Sequence, residues 1–297
     1  MAPVPRDTVA GRVFNDLRNT ARREGRGTDE LLVFYVLERW LYRASISPYA
    51  DRFILKGGLL LAALDARRPT RDGDLLASLR REDSEVLARV REIAAIEVDD
   101  GLRYHVDQVR AETIREDDHY AGLRVTMPAS LGSAQVKLAL DINFGDPITP
   151  GAVRLEYPLL LPGRPFGLLA YPVETVLAEK IVTAVARGET NTRDRDWADL
   201  WRLTGTHDVT GAVMTDALHR TAGYRKMMLS PLSERLGRLT ELRAVPYRRW
   251  RRQQGVDGPA YPEEFADIVR EVLVFTEPLL IGRSTHQRWE HQHRQWR

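Results

Sequence analysis

The chain has no cysteine among its 297 residues. This absence excludes disulfide bonds, thiolate catalysis and cysteine-ligated zinc, and it fits a reducing compartment. No uninterrupted apolar run approaches the roughly 20 residues that span a bilayer, and the N-terminal segment MAPVPRDTVAGRVF lacks the apolar core of a signal peptide. We therefore expect a cytoplasmic protein that is not inserted in a membrane.

Lysine is the second scarce residue type. Only four of the 44 basic residues are lysine, and these are Lys56, Lys137, Lys180 and Lys226. Because lysine carries a compact charge and arginine a permanently charged planar fork, a lysine in an arginine-rich chain hints at a place where a guanidinium would not serve. The net charge is only +2, so overall electrostatics do not indicate a nucleic-acid-binding protein.

The rest of the composition is that of an ordinary globular protein, with 43% apolar and 29% charged residues. A stretch rich in proline and glycine, residues 145–172, suggests a domain boundary near residue 165. We expect an α+β protein, in which a mixed β-sheet domain with flanking helices (residues 1–165) precedes a helical C-terminal domain with a basic tail (residues 166–297).

The spacing of apolar residues predicts the individual elements. A helical period predicts helices over residues 8–23, 29–44, 59–64, 84–95, 173–187, 194–204, 209–222, 230–243 and 262–276. Apolar runs and alternation predict strands over residues 53–55, 103–112, 121–127, 135–144 and 154–161.

The most informative segment runs from residue 53 to residue 76. A short apolar strand stops at Lys56-Gly57-Gly58, and after a helical stretch the chain presents Asp72-Gly73-Asp74. Two carboxylates two residues apart on an extended chain point the same way, and such a buried pair either shares a proton or binds a cation. Mg²⁺ is a common solution and brings nucleotide phosphates with it, while glycines let backbone N–H groups approach those phosphates. The alternative is a surface turn with ordinary glycines and aspartates.

Asp141 is a third acidic candidate. It lies on the predicted strand 135–144, whose one face is wholly apolar and whose other face carries Lys137, Asp141 and Asn143. Asp141 could complete a metal site with Asp72 and Asp74, or it could belong to a solvated strand face. Lys137 could reach a phosphate, or it could be a solvated edge lysine.

A second candidate segment covers residues 172–201. Lys180 lies on a predicted helix, and Asp196 and Asp199 are three residues apart on the next helix, so they are neighbours on one helix face. An ammonium within hydrogen-bond reach of a phosphate would offset the charge of a triphosphate. Salt bridges within and between these helices are the alternative.

These two segments carry a family resemblance. A Gly-Gly turn before an Asp-x-Asp pair resembles the nucleotidyltransferase superfamily. The ordered residues Lys56-Gly57-Gly58, Arg68, Thr70, Asp72 and Asp74, followed by the AEK helix and the segment Arg195-Asp196-Trp197-Ala198-Asp199-Leu200, resemble the two conserved blocks of AbiEii/MenT toxins. The chain departs from the pattern at Gly73, where a larger apolar residue is usual, and a glycine there would loosen the strand.

The resemblance implies a function and a site. It implies a nucleotidyltransferase-like sheet and a toxin of a toxin–antitoxin pair, which adds nucleotides, with a pyrimidine nucleotide as donor, to the 3′ end of tRNA and so blocks translation. It implies two Mg²⁺ ions at Asp72, Asp74 and Asp141, a nucleoside triphosphate as substrate, and a cognate antitoxin as a possible partner. We expect a monomer.

The resemblance also assigns further residues. Lys56, Gly57, Gly58 and Lys180 would contact the nucleotide's phosphates, and Lys180 and Asp199 would be needed for catalysis. Phosphorylation of Thr70, two residues before Asp72, would block the site, because it adds negative charge beside the metal-binding pair. A turn hydroxyl is the alternative role of Thr70.

A nucleic-acid acceptor requires a basic surface, and the run Tyr247 to Arg252 interleaves arginines with aromatic residues. The predicted RNA-binding residues are Arg248, Arg249, Trp250, Arg251 and Arg252. The last 15 residues add arginines, two tryptophans and three histidines. We expect these residues to form a mobile tail that binds no metal.

Two rival functions remain. One is a nucleotidyltransferase that modifies a small molecule such as an antibiotic, and the other is a non-catalytic member that binds a protein partner.

Overall fold

The computed structural model describes residues 7–79, 82–116 and 120–297. The first six residues, part of the segment predicted not to be a signal peptide, lie outside this range. The chain divides into two compact units. The sheet unit consists of residues 1–63, 69–145 and 153–170, and the helical unit consists of residues 64–68, 146–152 and 171–297.

The sheet unit combines four helices with eight strands in its described residues. The helices are α1 (Val9–Glu24), α2 (Thr28–Ser45), α3 (Gly57–Ala63) and α4 (Asp83–Ala94). The strands are β1 (Phe53–Lys56), β2 (Gly73–Ala77), β3 (Leu102–Tyr104), β4 (Arg110–Glu116), β5 (Tyr120–Leu131), β6 (Ala134–Phe144), β7 (Val153–Tyr157) and β8 (Phe166–Ala170).

These strands form one sheet in the order β3-β5-β6-β2-β1-β8-β7, and β4 pairs with β5. The pairs β1–β8 and β2–β6 are parallel, whereas the other pairs are antiparallel. The predicted mixed sheet with flanking helices is therefore confirmed. The single strand predicted over residues 103–112 is divided into β3 and β4, which both pair with β5.

Helix α2 supplies much of the core of the sheet unit. Five of its apolar side chains, Leu31, Leu32, Tyr35, Val36 and Trp40, are at most 6% exposed. They recur at helical spacing and form one apolar stripe. Burying such a stripe is what fixes an amphipathic helix on a sheet.

Strand β6 shows the alternation expected from its sequence. Leu138, Leu140 and Ile142 are buried on one face, whereas Lys137 is exposed and Asp141 is partly exposed on the other. Gly132 (φ 59°) and the next residue form a two-residue turn between β5 and β6. Glycine adopts this conformation without steric cost, and such a short turn fixes the strand register.

The helical unit follows β8. Its helices are α5 (Val173–Arg187), α6 (Asp194–Thr204), α7 (Gly211–Tyr224), α8 (Leu239–Gln253) and α9 (Phe265–Leu280). Three short strands, β9 (Val209–Thr210), β10 (Arg288–Glu290) and β11 (Gln295–Trp296), form a second sheet in the order β11-β10-β9.

Helix α8 extends beyond the end of the predicted helix, from residue 243 to Gln253. The helix contains Pro246, a residue that lacks the backbone N–H and usually ends a helix. Here Tyr247, the next residue, is completely buried and its hydroxyl donates to the backbone oxygen of Pro262 at 2.6 Å. Tyr247 thus fixes α8 to the segment before α9. Tertiary packing here overrides the tendency of Pro246 to end the helix.

The expectation of a mobile tail is wrong. Trp289 of β10 is 0% exposed, and its indole Nε1 donates to the backbone oxygen of Thr204 at 2.7 Å. Trp296 of β11 stacks on Phe275 of α9, with ring centroids 5.2 Å apart. The tail therefore belongs to the core of the helical unit, because its tryptophans bury large apolar surfaces there.

In the described part of the chain, no helix has the length and apolarity that crossing a membrane requires.

Candidate active site

Four charged side chains lie side by side across the sheet of the sheet unit. Lys56 of β1 is the register partner of Asp74 of β2, Asp74 is the partner of Asp141 of β6, and Asp141 is the partner of Arg124 of β5. Directly opposed residues on neighbouring strands place their side chains on the same face. We call these four residues the charge row, and it brings two of the predicted carboxylates together between two cations.

Asp74 is fixed by the glycine turn that begins α3. The Gly58 N–H donates to Asp74 Oδ2 at 3.1 Å. Gly57 has φ 63°, and a Cβ atom at this position would lie 1.8 Å from Asp74 Oδ2. A side chain at residue 57 is therefore incompatible with the position of the Asp74 carboxyl group. The glycines that were predicted to let phosphates approach the backbone thus also make room for the Asp74 carboxyl group.

The surroundings of Asp74 disfavour its negative charge. Desolvation by burial, helped by the charges of Asp72 and Asp141, raises the pKa of Asp74 to about 7, although the Gly58 N–H and Lys56 act in the opposite direction. A carboxyl group in this state gains from a nearby cation, because the cation offsets both the burial and the like charges.

Asp141 and Asp72 share the Arg124 guanidinium. Its Nε and Nη2 donate to the two oxygens of Asp141 at 2.7 and 2.5 Å, and Nη2 lies 3.6 Å from Asp72 Oδ2. On the other side of Asp72, Thr70 Oγ1 lies 3.2 Å from the Asp72 backbone oxygen and 3.3 Å from Oδ1. Asp72 and Asp141 therefore belong to one connected group with Arg124 and Thr70, and Asp74 is the register partner of Asp141 on the neighbouring strand.

The donor set suits a hard divalent cation, because it consists of carboxylate oxygens with excess negative charge around Asp74. Across residues 7–79, 82–116 and 120–297, however, no three acidic or histidine side chains converge into a ready-made metal site. A metal ion at Asp72, Asp74 and Asp141 therefore stays a prediction. Gly73 between the first two is buried, and Leu140, Leu59 and Leu37 fill the space that its side chain would occupy.

The second predicted group lies in the helical unit. Lys180 Nζ of α5 donates to Asp196 Oδ1 at 2.7 Å and to Asp199 Oδ2 at 2.9 Å. Arg68 donates through Nε and Nη2 to the same Asp199 carboxylate at 3.0 and 3.3 Å. We call these four residues the helical-unit charge cluster. The salt bridges that the sequence left open as the alternative are thus present, and they involve Lys180 itself.

Burial and charge compete in this cluster. Desolvation works against the Lys180 ammonium, but the charges of Asp196 and Asp199 outweigh it and raise its pKa. Burial likewise works against the Asp196 carboxylate, and the Lys180 charge reverses the effect and lowers its pKa. Lys180 and Asp196 are thus expected to remain charged near neutral pH, which is the state required of a phosphate-binding lysine.

Two candidate site residues, Arg68 and Arg124, were not predicted from the sequence. Arg68 was part of the recognised motif but had no assigned role, and nothing in the sequence linked it to Asp199. Arg124 had no assigned role either, although the sequence contains a signal for its position. In a regular hairpin, a two-residue turn between Leu131 and Ala134 pairs Arg124 with Asp141. Of the remaining lysines, Lys137 and Lys226 are exposed.

The predicted RNA-binding run lies on α8. Trp250 stacks on the buried Tyr247 and contacts Tyr261, with ring centroids 5.8 and 5.1 Å apart, so these rings already have partners within the helical unit. Arg248 pairs with Glu264 at 3.1 Å and Arg251 Nε donates to the Tyr261 backbone oxygen at 3.0 Å. Arg249 and Arg252 are exposed. RNA binding by this helix stays a prediction that rests on its arginines.

Two of the three histidines of the last segment, His291 and His293, pair with acidic residues. His291 Nδ1 lies 2.6 Å from Asp208 Oδ1 and His293 Nδ1 lies 3.1 Å from Glu290 Oε2. Backbone and side-chain hydrogen bonds from His291 lower the pKa of Asp208 to about 2.

Comparison with known proteins adds a family and a fold. The family model described as "Nucleotidyl transferase AbiEii toxin, Type IV TA system" matches residues 39–277. No protein of curated function matches the chain. A crystal structure of a protein from H. pylori, described there as a candidate nucleotidyltransferase, has a TM-score of 0.51 and 16% identity, covering 86% of this chain and 96% of that chain. The crystal structure of JHP933 from Helicobacter pylori has a TM-score of 0.51 and 15% identity over 86% of this chain and 93% of that chain. At this identity the likeness concerns the fold.

Proposed function

This chain belongs to the AbiEii family of nucleotidyl transferase toxins of type IV toxin–antitoxin systems, and we propose that it transfers a nucleotide from a metal-bound nucleoside triphosphate to the 3′ end of a tRNA. As a member of that family it is a nucleotidyltransferase. The acceptor, the pyrimidine donor, the two Mg²⁺ ions and the monomeric state are our proposals. The single observation that most supports a metal-dependent nucleotidyl transfer is the charge row beside the Gly57-Gly58 turn.

The reaction is an in-line displacement. The oxygen of the terminal RNA hydroxyl forms a bond to the α-phosphorus, the bond from the α-phosphorus to the bridging oxygen breaks, and pyrophosphate leaves. Asp72, Asp74 and Asp141 would hold the divalent metal, which offsets the charge of the phosphates when bound. Asp141 would also ease the loss of the hydroxyl proton, because a carboxylate near the attacking oxygen can accept it.

Candidate phosphate-contacting groups are proposed for each unit by itself. In the sheet unit, Lys56, Gly57 and Gly58 lie next to Asp74, and Lys56 offsets negative charge there. In the helical unit, Lys180 is proposed to contact the phosphates and Asp199 to support it, and this assignment rests on the family resemblance and on the Lys180–Asp199 hydrogen bond of 2.9 Å. A charged donor of this kind is worth most where water is excluded.

Thr70 is proposed as a control point. Its hydroxyl lies 3.3 Å from Asp72 Oδ1, and the residue is 8% exposed. A phosphate on Thr70 would place close to two negative charges beside a metal-binding carboxylate and would compete with the donor's phosphates. Intact mass of the protein after co-expression with the neighbouring gene tests this, and an unmodified Thr70 would contradict it.

The partners follow from the family. A type IV toxin has an antitoxin, so we propose a cognate antitoxin as a functional partner. The RNA acceptor would meet Arg248, Arg249, Arg251 and Arg252 of α8, with Trp250 beside them, because phosphate contacts dominate nucleic-acid affinity.

The test is a labelling assay. The purified protein is incubated with total tRNA, Mg²⁺ and each labelled nucleoside triphosphate in turn, and the expected result is a labelled tRNA with a pyrimidine nucleotide. Asp72→Ala should abolish the label, whereas Asp51→Ala, an exposed aspartate of the same unit, should leave it unchanged. Label on a small-molecule acceptor would favour the antibiotic-modifying function, and metal binding with no product on any acceptor would favour a non-catalytic binding protein.

A further inference from the structure

Arg124 occupies a position that the proposed reaction does not explain. Its guanidinium donates to both carboxylate oxygens of Asp141, at 2.7 and 2.5 Å, and its Nη2 lies 3.6 Å from Asp72 Oδ2. Two of the three carboxylates assigned to the metal are therefore engaged by one guanidinium. A divalent ion placed beside these carboxylates would meet a positive charge at close range, which lowers its affinity for the site.

The Arg124 contact is also open to solvent. The side chains of Arg124 and Asp72 are each 37% exposed, and that of Asp141 is 14% exposed. By contrast, the buried pair of Arg43 and Asp100 in the same unit has side chains that are 2% and 5% exposed. The Arg124–Asp141 pair is partly exposed, so water can replace its hydrogen bonds and opening it costs less than opening the buried Arg43–Asp100 pair.

A guanidinium fork recognises phosphate as well as it recognises carboxylate, since both present two oxygens at matching spacing. Lys56, at the other end of the charge row, is 7% exposed and is a point charge without such a fork. Within the charge row, Arg124 is therefore the cation that a phosphate from solvent can reach and grip through two hydrogen bonds.

We propose that Arg124 is a positioning residue that exchanges partners when the donor binds. Its guanidinium holds Asp141 and Asp72 in the nucleotide-free protein and moves to a phosphate of the triphosphate when the metal and the nucleotide enter. The move frees Asp141 for the metal, so metal and triphosphate bind cooperatively. This inference rests on the proposed function, because it requires a metal at these carboxylates.

The test uses Arg124→Gln in the full chain and two binding measurements. Mn²⁺ alone is titrated and followed by the electron paramagnetic resonance signal of the free ion. Removing the competing charge should tighten Mn²⁺ binding about fivefold. Inorganic tripolyphosphate is then titrated calorimetrically into protein saturated with Mn²⁺, and the loss of the fork should weaken its binding about fivefold. The two changes have opposite signs, which a residue of purely structural importance would not produce.

Two variants sharpen the comparison. Arg124→Lys keeps the positive charge but loses the planar guanidinium. Its Mn²⁺ affinity should therefore be closer to that of wild type than the affinity of Arg124→Gln is, whereas its affinity for tripolyphosphate should fall. Arg103→Gln removes an exposed arginine from β3 of the same sheet, and both affinities should stay at the wild-type values.

The outcomes separate the two levels of the proposal. If wild-type protein binds Mn²⁺ and Arg124→Gln leaves both affinities unchanged, or weakens both together, the exchange of partners is wrong and the proposed function stands. If neither wild-type protein nor Arg124→Gln binds Mn²⁺, or if Asp74→Asn binds it as tightly as wild type does, the metal site is wrong and the inference falls with it.

Discussion

Arg68 and Asp199 are 131 residues apart in the chain, and they form a buried ion pair with two hydrogen bonds. Their side chains are 10% and 2% exposed. Lys180 shares the same carboxylate, so Asp199 compensates two cations that are largely removed from water. A residue that the family resemblance assigns to catalysis is thus also a structural residue of the helical unit.

Asp199→Ala should destabilise the protein strongly. It leaves two buried cations with less compensating charge, and removing one partner of a buried pair costs about 3–5 kcal/mol. Urea denaturation followed by tryptophan fluorescence measures the effect. Asp216→Ala removes an exposed aspartate that is paired with Arg220 on α7, and should cost less than about 1 kcal/mol. If the two variants unfold at the same urea concentration, the helical-unit charge cluster does not stabilise the fold.

Gly57→Ala should weaken metal binding. The added Cβ would lie 1.8 Å from Asp74 Oδ2, so the carboxyl group must leave the position that the Gly58 N–H fixes. Gly255→Ala is a matched control, because Gly255 has a similar φ of 58° and a Cβ added there would have open space around it. Both variants should bear a backbone cost of about 1–2 kcal/mol, but only Gly57→Ala should weaken Mn²⁺ binding in a titration. Equal Mn²⁺ affinity in the two variants would contradict the role of Gly57.

Much of the fold was predictable because its signals are local. The alternation of β6 and the helical stripe of α2 follow from burial of one face, and these elements lie where they were expected. The Gly-Gly turn and the Asp-x-Asp pair are also local, so the sequence predicts that Asp72 and Asp74 lie close together. The position of Asp74 beside Asp141 follows from the parallel register of β2 and β6.

The remaining features depend on contacts between distant segments. The bond from Arg68 to Asp199 joins segments that no local pattern relates. The folding of the tail depends on Trp289 finding Phe275, with ring centroids 4.9 Å apart, and a short polar segment at a chain end gives no sign of this. Helix α8 passes through Pro246 because the next residue is anchored by packing.

Stability should depend on pH through Asp74. Its pKa in the folded protein is about 7 and its ordinary value is 3.8, so between these values the folded state binds more protons than the unfolded state. The free energy of unfolding should therefore be highest below about pH 4 for this group and fall as pH rises to about 7, by about 1.4 kcal/mol per unit of pKa difference. Urea midpoints in EDTA at several pH values measure this. Asp74→Asn should lose this component, and a variant with the same pH dependence as wild type would contradict the assignment.

Trp289→Ala should show whether the tail is part of the core. The side chain is fully buried against Phe275 and donates to the Thr204 oxygen, and truncating such a tryptophan costs about 3–5 kcal/mol. His286→Ala, at an exposed position of the same segment, should change the free energy of unfolding by less than about 0.5 kcal/mol. Thermal unfolding followed by circular dichroism compares the two. Identical melting temperatures would mean that the tail packs on nothing.

RNA binding by α8 should depend on charge. Arg249 and Arg252 are exposed, and each arginine that neutralises a phosphate contributes about 0.7–0.9 to the slope of log affinity against log salt. The double variant Arg249→Ala/Arg252→Ala should therefore bind tRNA more weakly and with a salt slope that is smaller by about 1.5. The matched control Arg220→Ala/Arg270→Ala removes the same charge from α7 and α9, where both arginines pair with exposed aspartates. Fluorescence anisotropy with labelled tRNA at four salt concentrations gives the slopes, and equal slopes in the two double variants would exclude α8 as the RNA-binding surface.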